Sequence, residues 1–259
     1  YGDWSSDVCS SDLREAIEEL SAALDAIAAE RPSGLIVRSG KDNFIAGADV
    51  EEFTRFASPE EALAFVRAGW DVFQKLRDLP FPTTAMINGY CMGGGFELSL
   101  ACDFRIVSET GFYALPEQRL GQIPGSGGSA RLQKIIGVTR TKDIVMRSRR
   151  IPAKQAYDWG IATECVADSK LETATDALVD ELAGRLQHHA EDDEVRLVAL
   201  RIEGLSRLAA EEYFVRQRED AAPASSIGRD ARRHARRERA TSGRSRGAAG
   251  SLTRAEYCR

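Results

Sequence analysis

Glu97 and Glu117 each stand beside a glycine-rich turn. Glu97 closes the run Gly93-Gly94-Gly95-Phe96-Glu97, and Glu117 follows Leu115-Pro116 just before Gly121-Gln122-Ile123-Pro124-Gly125. Glycine lets backbone approach a ligand closely because no Cβ intervenes. A carboxylate placed just beyond can reach whatever that backbone holds. Two carboxylates converging on one bound group suit acid–base work on a neutral substrate. The pair therefore predicts an enzyme.

The elements that must position these residues alternate between helix and strand. Leu13, Ile17, Leu20, Leu24 and Ile27 recur at the helical period, so a helix is expected from Leu13 to Glu30. Pro32-Ser33-Gly34 breaks it, and Leu35-Ile36-Val37 reads as a short buried strand. Pro59-Glu60-Glu61 opens a second helix, with acids facing the positive dipole end, and Pro80 and Pro82 stop it. Thr83 to Ile87 reads as strand, Asn88-Gly89 as turn, and Phe104 to Val107 as strand again. Trp70, Phe73 and Leu76 share one helical face and read as core. The fold class expected is α/β, with short buried strands and crossover helices. From Ser169 to about Arg218 the pattern reads as nearly all helix.

The glycine run after a strand leaves free N–H groups at the positive end of a helix. Such groups bind an anion or polarise a carbonyl oxygen. A phosphate cradle needs a Gly-Lys-Ser/Thr ending that is absent, and a carboxylate at Glu97 would repel phosphate. A tight strand–helix crossing that merely needs small residues is the plain alternative. Gly125-Ser126-Gly127-Gly128-Ser129-Ala130 matches a dinucleotide fingerprint on paper, but Glu117 to Pro124 lacks the buried strand that must precede it. Taken singly, Glu97 could be a dipole-stabilising helix acid, and Glu117 a loop acid paired with Arg119 or Arg131.

Together, these residues resemble the crotonase (enoyl-CoA hydratase/isomerase) superfamily. The resemblance rests on Phe44-Ile45-Ala46-Gly47-Ala48-Asp49, on Asn88-Gly89-Tyr90-Cys91-Met92 through Leu98, on Ala101-Cys102-Asp103-Phe104-Arg105, and on Leu115-Pro116-Glu117 through Gly128. It implies a crotonase-like ββα superhelix core over residues 13–185 and a C-terminal helical region over 186–220. It also implies an oxyanion hole from the N–H groups of Ala48 and Gly94, flanked by substrate-binding Ala46, Gly47, Asp49 and Gly93. Relatives with both glutamates hold one water between them and add it across an enoyl thioester. Carried over, Glu97 deprotonates that water, Glu117 exchanges the proton at Cα, and the backbone of Gly125 helps position the water. CoA enters as part of the substrate, so no cofactor is expected. A homotrimer or hexamer is implied. The family pattern also has strands and a Leu-Asn-Arg-Pro-type segment ahead of the first helix, so an N-terminally truncated chain is expected. Two other readings stay open: an isomerase or another crotonase reaction on acyl-CoA, and a non-catalytic acyl-CoA-binding or assembly subunit.

Composition sets the outer limits. Hydrophobic residues make up 43% of 259, enough for a core, and no apolar run approaches the ~20 residues of a membrane span. Five cysteines (Cys9, Cys91, Cys102, Cys165, Cys258) without metal-type spacing suggest neither disulfides nor zinc, and a cytoplasmic setting. No His near Cys91 in sequence activates it as a nucleophile. His188-His189 beside Glu191-Asp192-Asp193-Glu194 reads as a charged helix end rather than a metal site. Lys41 or Arg38 could meet CoA phosphates. Residues 1–12 are Ser/Asp-rich and non-periodic, a non-native or disordered leader. Residues 221–259 turn Arg-, Ala-, Ser- and Gly-rich, with ten Arg against three acids from 229 onward, on a chain of net charge −5. Without an aromatic platform or an apolar stripe, this stretch reads as a disordered tail. Neither nucleic acid nor membrane is an expected partner.

Overall fold

Helical period and turn chemistry shape the first elements of the computed structural model, which describes residues 13–45, 47, 56–187 and 197–202. Helix α1 (Leu13–Glu30) buries Leu20, Leu24 and Ile27. Strand β1 (Gly34–Ser39) comes next. Helix α2 (Pro59–Arg77) is capped by Ser58, whose Oγ accepts the Glu61 N–H at 3.2 Å, and its last turn carries Lys75 and Arg77 against the negative dipole end. Phe73 and Leu76 on α2 are core, as expected, but Trp70 is 37% exposed.

Beyond α2 come β2 (Thr83–Ile87), β3 (Tyr90–Met92), α3 (Gly94–Ser99), β4 (Phe104–Ser108) and β5 (Phe112–Ala114). A 3-10 turn at Glu117–Leu120 leads to α4 (Gly128–Arg147), which breaks its helical backbone at Gly137. The chain continues through β6 (Ile151–Pro152), α5 (Ala153–Asp158), β7 (Glu164–Val166) and α6 (Leu171–Gln187). Last is β8 (Leu197–Ile202).

The strands form two sheets. The larger has the order β7-β4-β2-β1-β8 and the smaller β3-β5-β6. Every pairing in the larger sheet is parallel. Helix α6 packs across β1, β2 and β4. Each chain segment passes from the larger sheet to the smaller at a tight corner: β2 to β3 at Asn88-Gly89, and β4 to β5 at Glu109–Gly111. The first corner is locked from outside. Asn88 Nδ2 donates to the Lys41 carbonyl at 2.6 Å, and the Tyr90 N–H donates to Asn43 Oδ1 at 3.2 Å.

The α/β class expected from sequence is the class found. One stretch differs. Residues 197–202 are not helix but strand, paired in parallel with the whole of β1 from Gly34↔Leu197 to Ser39↔Ile202. A run such as Leu197-Val198-Ala199-Leu200 satisfies either period over so short a length. A partner strand more than 150 residues earlier in the chain decides it. The chain divides into two units, Tyr1–Gln217 and Arg218–Arg259, and all described residues belong to the first. The expected leader (1–12) and tail (221–259) lie outside the described residues, as do His188, His189 and Glu191 to Glu194. Cys91, Cys102 and Cys165 are free thiols. Among the described residues no helix is long and apolar enough to cross a membrane, and no group of His, Cys, Asp and Glu could hold a metal ion.

Candidate active site

The small sheet brings three distant segments to one end. Ile45 bridges Cys91 in parallel, and Cys91 pairs in parallel with Tyr113. Two residues beyond these partners lie Gly47, Gly93 and Leu115, so the chain leaves all three strands side by side. Glu97 lies four residues beyond Gly93, and Glu117 two beyond Leu115. Parallel register thus places the two glutamates near each other, and the negative charge of Glu97 raises the pKa of Glu117.

The first and second motifs meet closely. A Cβ built on Gly47 would lie 3.4 Å from the Met92 carbonyl oxygen and 3.8 Å from the Gly94 nitrogen. The Met92 N–H donates to the Ile45 carbonyl at 2.8 Å, and the Gly93 N–H to the Ala114 carbonyl at 3.0 Å. Gly93 then turns the chain with φ 53 and ψ −127, a conformation that favours glycine, and α3 begins at Gly94. A Cβ on Gly95 would fall 2.5 Å from Ile45 Cβ, so glycine is required there for α3 to sit on the strand. A Cβ on Gly94, by contrast, would meet nothing within 4 Å among the described residues. Ala46, Ala48 and Asp49 lie outside the described residues.

Glu97 is buried, with 4% exposure. Its Oε1 accepts the Gly128 N–H at 2.7 Å, so this carboxyl on α3 caps the N-terminus of α4. The contact is tight: a Cβ on Gly128 would lie 2.8 Å from Glu97 Cγ. Burial pushes the Glu97 pKa up to about 7, opposed by the backbone amides of Gly128 and Ser126 and by the Arg131 charge.

Glu117 opens the 3-10 turn after β5 and is partly buried. Burial also pushes its pKa up to about 7, opposed by its own backbone amide and reinforced by the charge of Glu97. Its Oε2 is buried and has no hydrogen-bond partner among the described residues. Neither Arg119 nor Arg131 pairs with it among the described residues. Arg131 instead donates from Nη1 to the Ser126 carbonyl at 2.7 Å and from Nη2 to Gln74 Oε1 at 2.6 Å.

Gly125 lies on the exposed stretch leading into α4, where a Cβ would fall 2.9 Å from Val66 Cγ1 of α2. Arg38 is occupied by Glu172 at 3.0 Å. Burial lifts the Cys91 thiol far above its ordinary pKa, which suits a core residue and not a nucleophile. The contribution of α2 escapes the sequence reading. Val66 and Gln74 both meet the Gly125–Gly128 turn or Arg131, and Trp70 lies under the Arg131 guanidinium at 5.3 Å. Their spacing of four marks one helical face, but nothing in the sequence says which turn that face meets.

The family described as enoyl-CoA hydratase/isomerase matches residues 13–198. Among curated proteins, the fatty acid oxidation complex subunit alpha of Acinetobacter baumannii (strain AYE) is 38% identical over 201 residues, covering 76% of this chain and 28% of that protein. The protein of the same description from Vibrio cholerae serotype O1 (strain ATCC 39541 / Classical Ogawa 395 / O395) is 42% identical over 169 residues, covering 63% and 24%. The chain thus spans about a quarter of the length of these curated relatives. Among solved structures, the enoyl-CoA hydratase from Bacillus anthracis superposes with a TM-score of 0.61 at 36% identity, covering 64% of this chain and 65% of that one.

Proposed function

Since the chain belongs to the enoyl-CoA hydratase/isomerase family, whose crotonase fold it shares, we propose that it hydrates the α,β double bond of an enoyl-CoA thioester. The observation that carries this reading is the unequal setting of two equally raised glutamates. Glu97 receives the Gly128 N–H and feels the Arg131 cation, both of which favour its anion. Glu117 has an unpartnered Oε2 and the charge of Glu97 beside it, both of which favour its protonated form. Near neutrality the pair holds about one proton, and the proposed reaction starts from the form that carries it on Glu117. Because the groups interact, they titrate as a unit.

That division sets the chemistry. A water held by both carboxyls, with help from the backbone near Gly125, gives its proton to Glu97 as its oxygen attacks Cβ. Charge moves to the thioester oxygen, where the N–H groups of Ala48 and Gly94 stabilise the enolate. Glu117 then delivers its proton to Cα. The product has gained H and OH, Glu97 carries the proton and Glu117 the charge, and a relay through the next water restores the starting state. Ala46, Gly47, Asp49 and Gly93 line the thioester. The reaction needs no cofactor beyond the CoA of its substrate. The names of the curated relatives support fatty-acyl thioesters as the substrate class. A cytoplasmic homotrimer or hexamer, with residues 13–185 as its catalytic core, completes the proposal.

Hydration of crotonyl-CoA, followed by loss of thioester-conjugate absorbance, tests it. Glu97→Gln and Glu117→Gln should each slow turnover by about 10²-fold or more, the usual worth of a general acid or base. The double variant should lose far less than the product of the two, because both carboxyls act on one water. Near-normal turnover in either single variant rejects the assignment. Conversion of a 3-enoyl-CoA with no hydration makes the protein an isomerase.

A further inference from the structure

We propose that Arg131 is a positioning residue, clamping the Ser126–Gly128 turn to α2 so that the backbone N–H of Gly128 stays on Glu97. The inference rests on the hydratase reading for its catalytic meaning, and on geometry for the clamp itself. The guanidinium spans two elements: Nη1 donates back to the Ser126 carbonyl at 2.7 Å, and Nη2 donates across to Gln74 Oε1 of α2 at 2.6 Å. Its face lies 5.3 Å from the Trp70 ring, one turn before Gln74.

The turn is shaped around this clamp. Gly127 has φ +100, and a Cβ there would fall 2.4 Å from Arg131 Nη1 and 2.7 Å from Trp70 Cζ3. Below it, a Cβ on Gly69 of α2 would fall 2.7 Å from Ser126 Oγ. Helix and turn therefore meet with no room for slippage. The next residue, Gly128, gives its N–H to Glu97 Oε1. Arg131 acts on Glu97 through the turn and through its charge.

The cation is held at a cost. Burial lowers the Arg131 pKa, and its Nε is buried with no hydrogen-bond partner among the described residues. A residue needed only to fill this space could be apolar. The groups that act on Glu97 are the Gly128 and Ser126 amides and Arg131 at the start of α4, with Glu117 across from it. Arg77 and Asp78, at the end of α2, act on Arg131 with opposite signs. Arg131 is thus the cation that favours the Glu97 anion.

Three variants separate the clamp from simple packing. Arg131→Met keeps the stem but loses both donors and the charge. Arg131→Lys keeps the charge but cannot reach both acceptors with one ammonium. Gln74→Leu removes one anchor and leaves the charge. In Arg131→Met, kcat for crotonyl-CoA should fall by about 10²-fold, as small misplacements of a reacting group do, with KM little changed. The acid limb of the pH–rate profile should move to higher pH, because Glu97 loses its cation. Arg131→Lys should restore only part of the limb and part of kcat, and Gln74→Leu should lower kcat and move the limb upward by less than Arg131→Met does, because the Gly128 N–H is then held less firmly on Glu97.

Carbon-13 carboxyl titration of Glu97 by NMR, without substrate, gives a readout independent of turnover. An upward move of the Glu97 midpoint that is largest in Arg131→Met and smaller but present in Arg131→Lys and Gln74→Leu supports the clamp even if the wild-type protein hydrates no enoyl-CoA, an absence that rejects the hydratase reading alone; a move in Arg131→Met only shows a charge effect and overturns the clamp. A folded Arg131→Met variant with unchanged Glu97 midpoint and unchanged kcat overturns the proposal. So does activity lost only in proportion to the folded fraction.

Discussion

The two sheets among the described residues are built from different strands, joined at the β2–β3 and β4–β5 corners, and serve different ends. In the larger sheet β1, β2 and β4 run five or six residues, and nearly every position is buried. In the smaller sheet the strands run two or three residues. Yet the chain leaves the smaller sheet directly into Gly93, Glu97, Leu115 and Glu117. Long strands stabilise by area, while short ones aim the residues just beyond their ends. The difference teaches that the site depends on the small sheet for register and on the large sheet for the free energy to hold it.

Breaking the large sheet should therefore cost stability without changing the chemistry. Leu35→Ala, fully buried on β1, should lower stability by about 2–5 kcal/mol. The rate per folded molecule, from active-site titration beside a melting curve, should stay at the wild-type value. A large fall in that rate would mean that the two sheets are not separable in this way.

At the small-sheet end, two adjacent glycines should give opposite results. Gly94→Ala adds a methyl that meets no described residue within 4 Å, so the melting temperature should hold while hydration falls by about 10²-fold from a misplaced thioester. Gly95→Ala drives a methyl into Ile45 and should lose about 1–3 kcal/mol of stability from overpacking. Equal melting temperatures for the two variants would contradict the geometry of α3 on its strand.

The pH dependence of stability sharpens the comparison further. Burial pushes the pKa values of Glu97 and Glu117 up to about 7, above the ordinary carboxyl value of 4.5. Between these limits the folded protein binds protons that the unfolded chain has released, so stability falls as pH rises through the window. Replacing Glu97 by Gln removes that penalty at a cost to activity. At about 1.4 kcal/mol per pKa unit, Glu97→Gln should gain of order 1–3 kcal/mol over wild type at pH 8 and nothing at pH 4. Parallel denaturation curves at the two pH values would show that the carboxyl is not raised.

Strands β1, β2 and β4 of the large sheet are legible in the sequence because short runs such as Leu35-Ile36-Val37 and Ala85-Met86-Ile87 announce themselves. Strand β5 is not, since three residues define no period. Residues 197–202 mislead, because only pairing with β1 separates strand from helix there. Within the site, Glu97 and Glu117 are legible from the glycines that let backbone crowd against them. Arg131 is legible only as a charge near a loop. Its partner Gln74 lies 57 residues earlier in the chain, and no local signal links the two. Trp70 reads as core for the same reason: helical spacing reveals a shared face, not the guanidinium that lies over it.

The parallel alignment of Met92 with Ala114 has one more implication. A slip of β5 by one residue against β3 would carry Glu117 about 3.3 Å along the strand and turn it to the other face. The apolar strands could still bury most of their surface after such a slip. Refolded material could then regain its helix content and part of its stability while remaining silent toward substrate. On the proposed hydratase reading, turnover becomes a gauge of alignment, and specific activity after refolding would count the molecules whose strands have found their proper partners.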